Sequence, residues 1–346
     1  MRPLFFREVF VSVREKILLL EQSMLQEVIG QDSIIRSVIV CLLCDANVLL
    51  EGMPGLAKTR SVKSLAKYLD AKFQRIQFTP DLLPTDITGS DIYVADSQRP
   101  EDAFQFRQGP IFGNIVLVDE INRAPPKVQS ALLEAMEERQ VTVSGKSHRL
   151  DKLFMTLATQ NPVEQEGTYN LPEAQLDRFL MKILVQYPKK ENEKDIMRLV
   201  RRERTRKYSQ LVYSEQDSVK TSPSSVQLSQ DVIFSAWGEI SDVHVSDAIE
   251  DYVVSIIDAT RNPTEYDVEL AEWIVEGASP RATLALDVAS RAHAWLEGRD
   301  YVTPMDVHAI IYNVLRHRLV LSFQAVSADV TSDIVISKLL STVVVG

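Results

Sequence analysis

The sequence predicts an α/β fold in which a parallel five-stranded sheet flanked by helices is followed by a second, all-α domain. Three observations carry that prediction. Short apolar runs alternate with helical periodicity across positions 1–187, the pattern of a parallel sheet whose crossovers are helices. One of those runs ends in a glycine loop that opens directly into a helix, an arrangement suited to an anion such as phosphate. Beyond Pro188 the strand signal fades and helix-start signals replace it. The chain therefore divides at 1–187 and 188–346, with a linker or loop around 206–230, where Ser, Gln and Pro accumulate.

Taken in order, residues 13 to 28 form a helix, because Ile17, Leu20, Met24 and Val28 recur near the 3.6-residue period. A second apolar helix covers about 32 to 44. Asn47 to Glu51 then reads as a strand buried on both faces. The helix that follows the glycine loop places Val62, Leu65, Ala66 and Leu69 on one side. Further strands are expected at Phe73 to Gln77, Ile115 to Val118, Phe154 to Thr159 and Met181 to Gln186, and polar/apolar alternation about Ser144-Gly145 marks a hairpin over 140–150. In the second half, Ser279-Pro280 and Thr303-Pro304 each set an N-cap before an N1 proline.

Composition narrows the function classes. A chain of 346 residues, 45% hydrophobic and 25% charged, is an ordinary globular protein with no apolar run near the ~20 residues a membrane helix needs. Its first residues mix charged with apolar side chains and lack a small-residue cleavage site, so a cytoplasmic location is expected. A net charge of -10 weighs against nucleic-acid binding. The densest basic run, Arg198 to Lys207, carries no aromatic interleaving and reads as a solvated helix face. Cys41 and Cys44 lie in an apolar helix and are expected to pack there. His293, His308 and His317 match no zinc spacing and are expected in packing or surface roles.

The chemistry concentrates in two segments. Gly52-Met-Pro-Gly-Leu-Ala-Lys58-Thr59 differs from Gly-x-x-x-x-Gly-Lys-[Ser/Thr] only at Ala57. In such a loop Gly52, Pro54, Gly55, Leu56 and Ala57 wrap a phosphate, mainly with backbone N–H groups, Lys58 reaches the outer phosphates, and the Thr59 hydroxyl coordinates magnesium. Arg60 follows in the first helical turn. Ile115-Val-Leu-Val-Asp119-Glu120 is an apolar strand ending in two carboxylates. Asp119 is placed to hold the metal and Glu120 to polarise an attacking water, although two acids at a strand end also make a solvated turn.

These two segments, with Val118 to Pro126, Ala158-Thr-Gln-Asn-Pro162, Glu166 to Phe179 and Gly277-Ala-Ser-Pro-Arg-Ala282, resemble MoxR family AAA+ ATPases over roughly residues 28 to 317. The resemblance implies a P-loop AAA+ core over 1–187, a helical lid over 188–346, and ATP and Mg2+ as ligands. It implies that Asn161 is the sensor-one residue, that Arg178 is an arginine finger reaching a neighbouring subunit's γ-phosphate, and that Arg281 is the sensor-two arginine of the lid. Val28 and Ile29 match the segment that packs on adenine, and also what core packing needs. A surface pair between Asp177 and Arg178 is the plain alternative to the finger. Nothing familiar marks 206–230 or the C-terminal stretch 317–346.

As function, the resemblance implies a homo-oligomeric, hexameric ring in which ATP hydrolysis drives chaperone-like remodelling or cofactor maturation of a protein client, often with a von Willebrand factor A-domain partner. A motor or loader acting on nucleic acid is the second class, and an ATP-gated scaffold that seldom hydrolyses is the third. The acidic balance weighs against the second, and the joint presence of Glu120, Asn161 and Arg178 against the third.

Overall fold

The computed structural model describes residues 11–52, 58–93, 104–161, 167–212 and 227–345. Helix α1 (Val13–Glu27) opens on a reciprocal cap, in which Glu15 N donates to Ser12 Oγ at 3.2 Å and Ser12 N donates to the Glu15 carboxylate at 2.8 Å. It is followed by α2 (Asp32–Leu43), β1 (Val48–Gly52), α3 (Lys58–Tyr68) and β2 (Phe73–Gln77). A short α4 (Pro84–Thr88) leads into the antiparallel pair β3 (Gly89–Tyr93) and β4 (Phe104–Gln108). The core continues with β5 (Ile115–Asp119), α5 (Pro126–Glu138), the hairpin β6 (Gln140–Val143) and β7 (Lys146–Arg149), β8 (Met155–Gln160), α6 (Glu173–Leu176) and β9 (Met181–Val185).

Five of these strands form one parallel sheet in the order β2-β5-β8-β1-β9. Every residue of β5 is buried, which is why that strand reads as an unbroken apolar run. β8 inserts between β1 and β5, so the ends of the glycine-loop strand and the acidic strand flank its tip. One face of the sheet packs on α5 through Val116, Val118, Leu132, Leu133 and Phe154. The apolar cluster on the other face takes in α1 and α2 and runs without a break into the C-terminal helices.

Those helices are α7 (Lys190–Val212), α8 (Gln230–Ser241), α9 (Asp247–Arg261), α10 (Val268–Trp273), α11 (Pro280–Leu296), α12 (Pro304–Leu315), α13 (Phe323–Ser327) and α14 (Ser332–Thr342). The region is mostly helical but not wholly so, since β10 (Ile274–Glu276) pairs antiparallel with β11 (Val320–Leu321). Strands this short cannot show a period in the sequence. Gly277 closes this joint: a Cβ there would meet Thr260 O at 2.3 Å, and Ala278 N donates to Thr260 Oγ1 at 3.0 Å.

The linker expected at 206–230 is helical at its start. α7 continues to Val212, α8 begins at Gln230, and the Leu228 backbone bridges to Leu69 beside α3. The basic run lies on α7, where 201–205 are exposed, and its Arg and Glu residues are good helix formers. The Ser- and Pro-rich composition starts only beyond that run. No helix among the described residues is long and apolar enough to cross a membrane.

Candidate active site

The glycine loop occupies the junction of β1 and α3. At Gly52 a Cβ would lie 2.5 Å from Val185 O, so the strand can run this close to β9 only without a side chain. Pro54, Gly55, Leu56, Ala57 and the Lys58 side chain fall outside the described residues. Thr59 and Arg60 stand in the first turn of α3, whose N-terminus faces the loop and favours an anion there. The Arg60 guanidinium is turned elsewhere: Nε donates to Glu27 O at 2.7 Å and Nη2 pairs with Glu203 on α7. Arg60 therefore ties α1 and α7 to the loop helix.

The acidic strand end lies two strands away, across β8. Asp119 is 7% exposed, and its Oδ2 accepts from Arg75 Nε at 2.6 Å. Glu120 adopts φ +58°, a left-handed conformation that a non-glycine residue takes up at a cost of order 1–3 kcal/mol. Its backbone N–H donates to Thr159 Oγ1 at 2.9 Å, which pins the turn to β8. Its carboxylate Oε2 accepts from Gln77 Nε2 at 2.9 Å and pairs with Arg123 Nε at 3.2 Å, so the side chain is aimed while staying partly open to solvent. Asn161, buried at the tip of β8, lies between the two strand ends.

The donor set at this edge is a buried carboxylate, Asp119, with the Thr59 hydroxyl across β8. Hard oxygen donors of this kind, one carboxylate with a hydroxyl, suit a Mg2+ that takes its remaining ligands from phosphate and water. Sequence reasoning does not single out Arg75, Gln77 or Arg123. Gln77 and Arg75 meet the acidic pair only through the β2–β5 register, which sets Gln77 opposite Asp119. Arg123 lies within the Val118 to Pro126 segment that carries the resemblance, but nothing in the sequence assigns it a partner; its pairing follows from its place one helical turn after Glu120.

Arg178 and Arg281 sit at the opposite edge of the sheet. Arg178 precedes β9, where Leu180 N donates to Asn47 O ahead of β1. Met181 pairs with Val48 at the start of β1, whereas Gly52 closes that strand, about 13 Å further on at ~3.3 Å per residue. α5 runs from the acidic edge back to this one, and its C-cap residue Arg139 donates to Phe154 O and to Asp45 O (2.8 Å), both ahead of strands. Glu137, in the last turn of α5, receives Arg178 Nη2 on Oε2 at 2.7 Å and Arg281 Nη2 on Oε1. Arg281 lies in the first turn of α11, where its N–H donates to Ser279 Oγ at 3.2 Å. Asp177 does not pair with Arg178. It accepts from Arg318 Nε at 2.6 Å and from Ser279 Oγ at 2.6 Å.

Val28 is buried as the C-cap of α1, and Ile29 is partly exposed beside it. Next to them a pocket of about 460 Å³ is lined by Gly30, Gln31, Gln186, Tyr187, Asn192 and Arg316, joining the end of β9 to α12. The three C-terminal histidines each have one ordinary partner. His293 Nδ1 meets Asp306 Oδ1 at 2.7 Å, His308 Nε2 meets the Tyr252 hydroxyl at 2.7 Å, and His317 Nε2 donates to Phe179 O at 3.0 Å. Burial pushes up the thiols of Cys41 in α2 and of Cys44 at its C-cap, away from thiolate chemistry.

The profile of the ATPase family associated with various cellular activities (AAA) matches residues 47–181, and an AAA lid domain profile matches residues 272–339. The lid match takes in most of 317–346, where the sequence by itself shows no familiar pattern. Chaperone MoxR1 of Mycobacterium tuberculosis is 43% identical over 317 residues, covering 91% of this chain and 78% of its own. Protein MoxR of Paracoccus denitrificans is 34% identical over 305 residues, covering 85% and 86%. The crystal structure of a candidate ATPase from Cytophaga hutchinsonii superposes with a TM-score of 0.83 at 40% identity over 96% of both chains. Identity at this level, extending through core and lid alike, goes well beyond a shared fold: the chain belongs to the MoxR family of AAA+ ATPases.

Proposed function

We propose that this ATPase hydrolyses ATP with Mg2+ inside a ring of its own copies, hexameric, and uses the turnover to remodel or mature client proteins in the cytoplasm. Residues 1–187 act as the nucleotide-binding core and 188–346 as the lid. A von Willebrand factor A-domain protein is the partner class that fits the family. The observation supporting the shared site is the separation just described: the acidic strand end and the two arginines occupy opposite edges of one sheet. A head-to-tail ring brings one copy's arginine edge to the next copy's phosphate edge.

In this reading the backbone of the glycine loop, Lys58 and the α3 N-terminus bind the phosphates, and Val28 and Ile29 bound the adenine. Thr59 and Asp119 hold Mg2+, which supplies charge neutralisation at the outer phosphates. Glu120 orients a water for in-line attack on the γ-phosphorus and takes its proton as the bond to the bridging oxygen breaks and ADP leaves. Asn161 orients the same water with an amide that both donates and accepts. Arg178 of the adjacent copy stabilises the charge that develops on the transferring group.

Turnover per subunit against concentration, for the wild type, Glu120→Gln, Arg178→Ala and an equimolar mixture of the two variants, tests this. Each variant is expected to be inactive alone, and the mixture to recover part of the activity. Flat concentration dependence with a fully active Arg178→Ala would remove the shared site and leave a self-sufficient ATPase.

A further inference from the structure

We infer that Glu137 is a positioning residue that binds Arg178 of the core and Arg281 of the lid into a single two-arginine unit, presented to the phosphates of a neighbouring copy. The inference rests on the proposed role of Arg178 in trans and adds to it a residue and a geometry. Each oxygen of one carboxylate is taken by a different guanidinium, Oε2 by Arg178 at 2.7 Å and Oε1 by Arg281. Without that carboxylate, two like charges this close repel and their long side chains separate. With it the trio keeps one net positive charge on a fixed frame. All three side chains are between 30% and 45% exposed, open to an incoming anion.

The frame continues behind them. Asp177, the residue before the finger, is held by Arg318 Nε and by Ser279 Oγ, each at 2.6 Å, and Ser279 is the N-cap of the helix that carries Arg281. Arg318 also donates to Phe179 O at 2.7 Å and Leu180 O at 3.0 Å, fixing the backbone after the finger. Both arginines are therefore attached to the lid, one through its own helix and the other through Arg318 and Ser279. Movement of a subunit's lid carries the pair as one body, so that lid position in one copy sets the arginine geometry at the next copy's nucleotide.

A half-exposed ion pair contributes little to folding, so removing Glu137 is expected to act on turnover. Glu137→Ala should lower kcat by roughly 10- to 100-fold, a fraction of the ~10³ to 10⁵ that an arginine finger supplies, with KM for ATP changed little. The decisive readout is complementation. An equimolar mixture of Glu137→Ala with Glu120→Gln should recover activity, because about one head-to-tail interface in four then joins an intact phosphate edge to an intact arginine edge. A mixture of Glu137→Ala with Arg178→Ala should not, since both lesions lie on the same edge. Recovery in that second mixture, wild-type kcat for Glu137→Ala, or recovery in neither mixture would each overturn the inference. Failure of Glu120→Gln with Arg178→Ala to complement would instead overturn the trans finger itself. Should Glu137→Ala not fold, the isosteric Glu137→Gln, which leaves one acceptor for two guanidinium groups, carries the same test.

Discussion

At the C-terminal edge of the sheet, Asp119 and Glu120 are held by Arg75, Gln77 and Thr159, all from strands adjacent to their own. At the N-terminal edge, Arg178 is held by Glu137 from a core helix, while its neighbour Asp177 is held by Arg318 and Ser279 from the lid. The first constellation is as rigid as the sheet register that builds it. The second depends on where the lid sits. The carboxylates are thus fixed by the sheet, whereas the arginine pair spans two parts of the molecule: Arg281 is carried on a lid helix, Arg178 on the core, and Glu137 joins them.

The sharpest way to break this contrast is at Arg178. Arg178→Ala is expected to reduce turnover by about 10³-fold or more, with ATP affinity, measured by equilibrium titration, within a few-fold of wild type. Equal loss of affinity would mean that Arg178 serves its own copy's phosphate, and the two edges would not be separate. Next in size is Glu120→Gln, expected to lower kcat by about 10² to 10⁴ while ATP still binds, measured in single turnover so that product release does not mask the chemical step.

Much of the acidic edge is legible in the sequence because a central parallel strand is buried on both faces and shows as an apolar run that stops at its charges, as Ile115 to Glu120 does. The strands of the sheet and their order along the chain follow from the same signal. Gln77 and Arg75 are not legible, since they are far in the chain from Asp119 and Glu120 and meet them only once β2 lies beside β5. Glu137 reads in the sequence as one more charge on an amphipathic helix, and its role requires Arg178 and Arg281 to converge on it from separate parts of the chain. β3 and β4 escape a sequence reading because most of their residues are at least partly exposed and present no buried alternation. The helical span of 206–212 reads as linker because its polar residues resemble those of the Ser- and Pro-rich stretch that follows.

The lid attachment is sharpened by Arg318→Met. Arg318 is buried, and its removal takes one donor from the Leu180 carbonyl and leaves the Asp177 carboxylate to Ser279 and the Phe179 carbonyl to His317. Breaking a buried pair in this way costs about 3–5 kcal/mol, so a large fall in the urea midpoint is expected. A midpoint close to wild type would show that the lid does not grip the segment from Asp177 to Leu180. At the acidic edge, Gln77→Ala removes one hydrogen bond to the Glu120 carboxylate. Such bonds to a charged group are worth about 1.5–3 kcal/mol, and because Arg123 still pairs with Glu120 a loss of roughly three- to tenfold in kcat is expected, about 0.6–1.4 kcal/mol at ~1.4 kcal/mol per tenfold. No change would leave Arg123 as the group that aims Glu120.

A last effect separates the two edges by pH. His317 lies between lid and core with Nε2 on Phe179 O, and burial first, then the Arg318 charge, holds its pKa well below the ordinary histidine value. The folded protein therefore keeps this ring neutral while the unfolded chain takes up a proton below about pH 6.5. Protons bind more tightly to the unfolded state there, so stability contributed by the neutral ring is full above that pH and falls as the pH drops, at up to about 1.4 kcal/mol per unit. Wild type should lose about 1.4 kcal/mol more than His317→Gln between about pH 7.5 and 5.5, the difference cancelling the other histidines, which both proteins share. Parallel curves would mean that water reaches His317 when the lid is in place, and the arginine edge would then be less firmly seated on its lid than the contacts of Arg318 require.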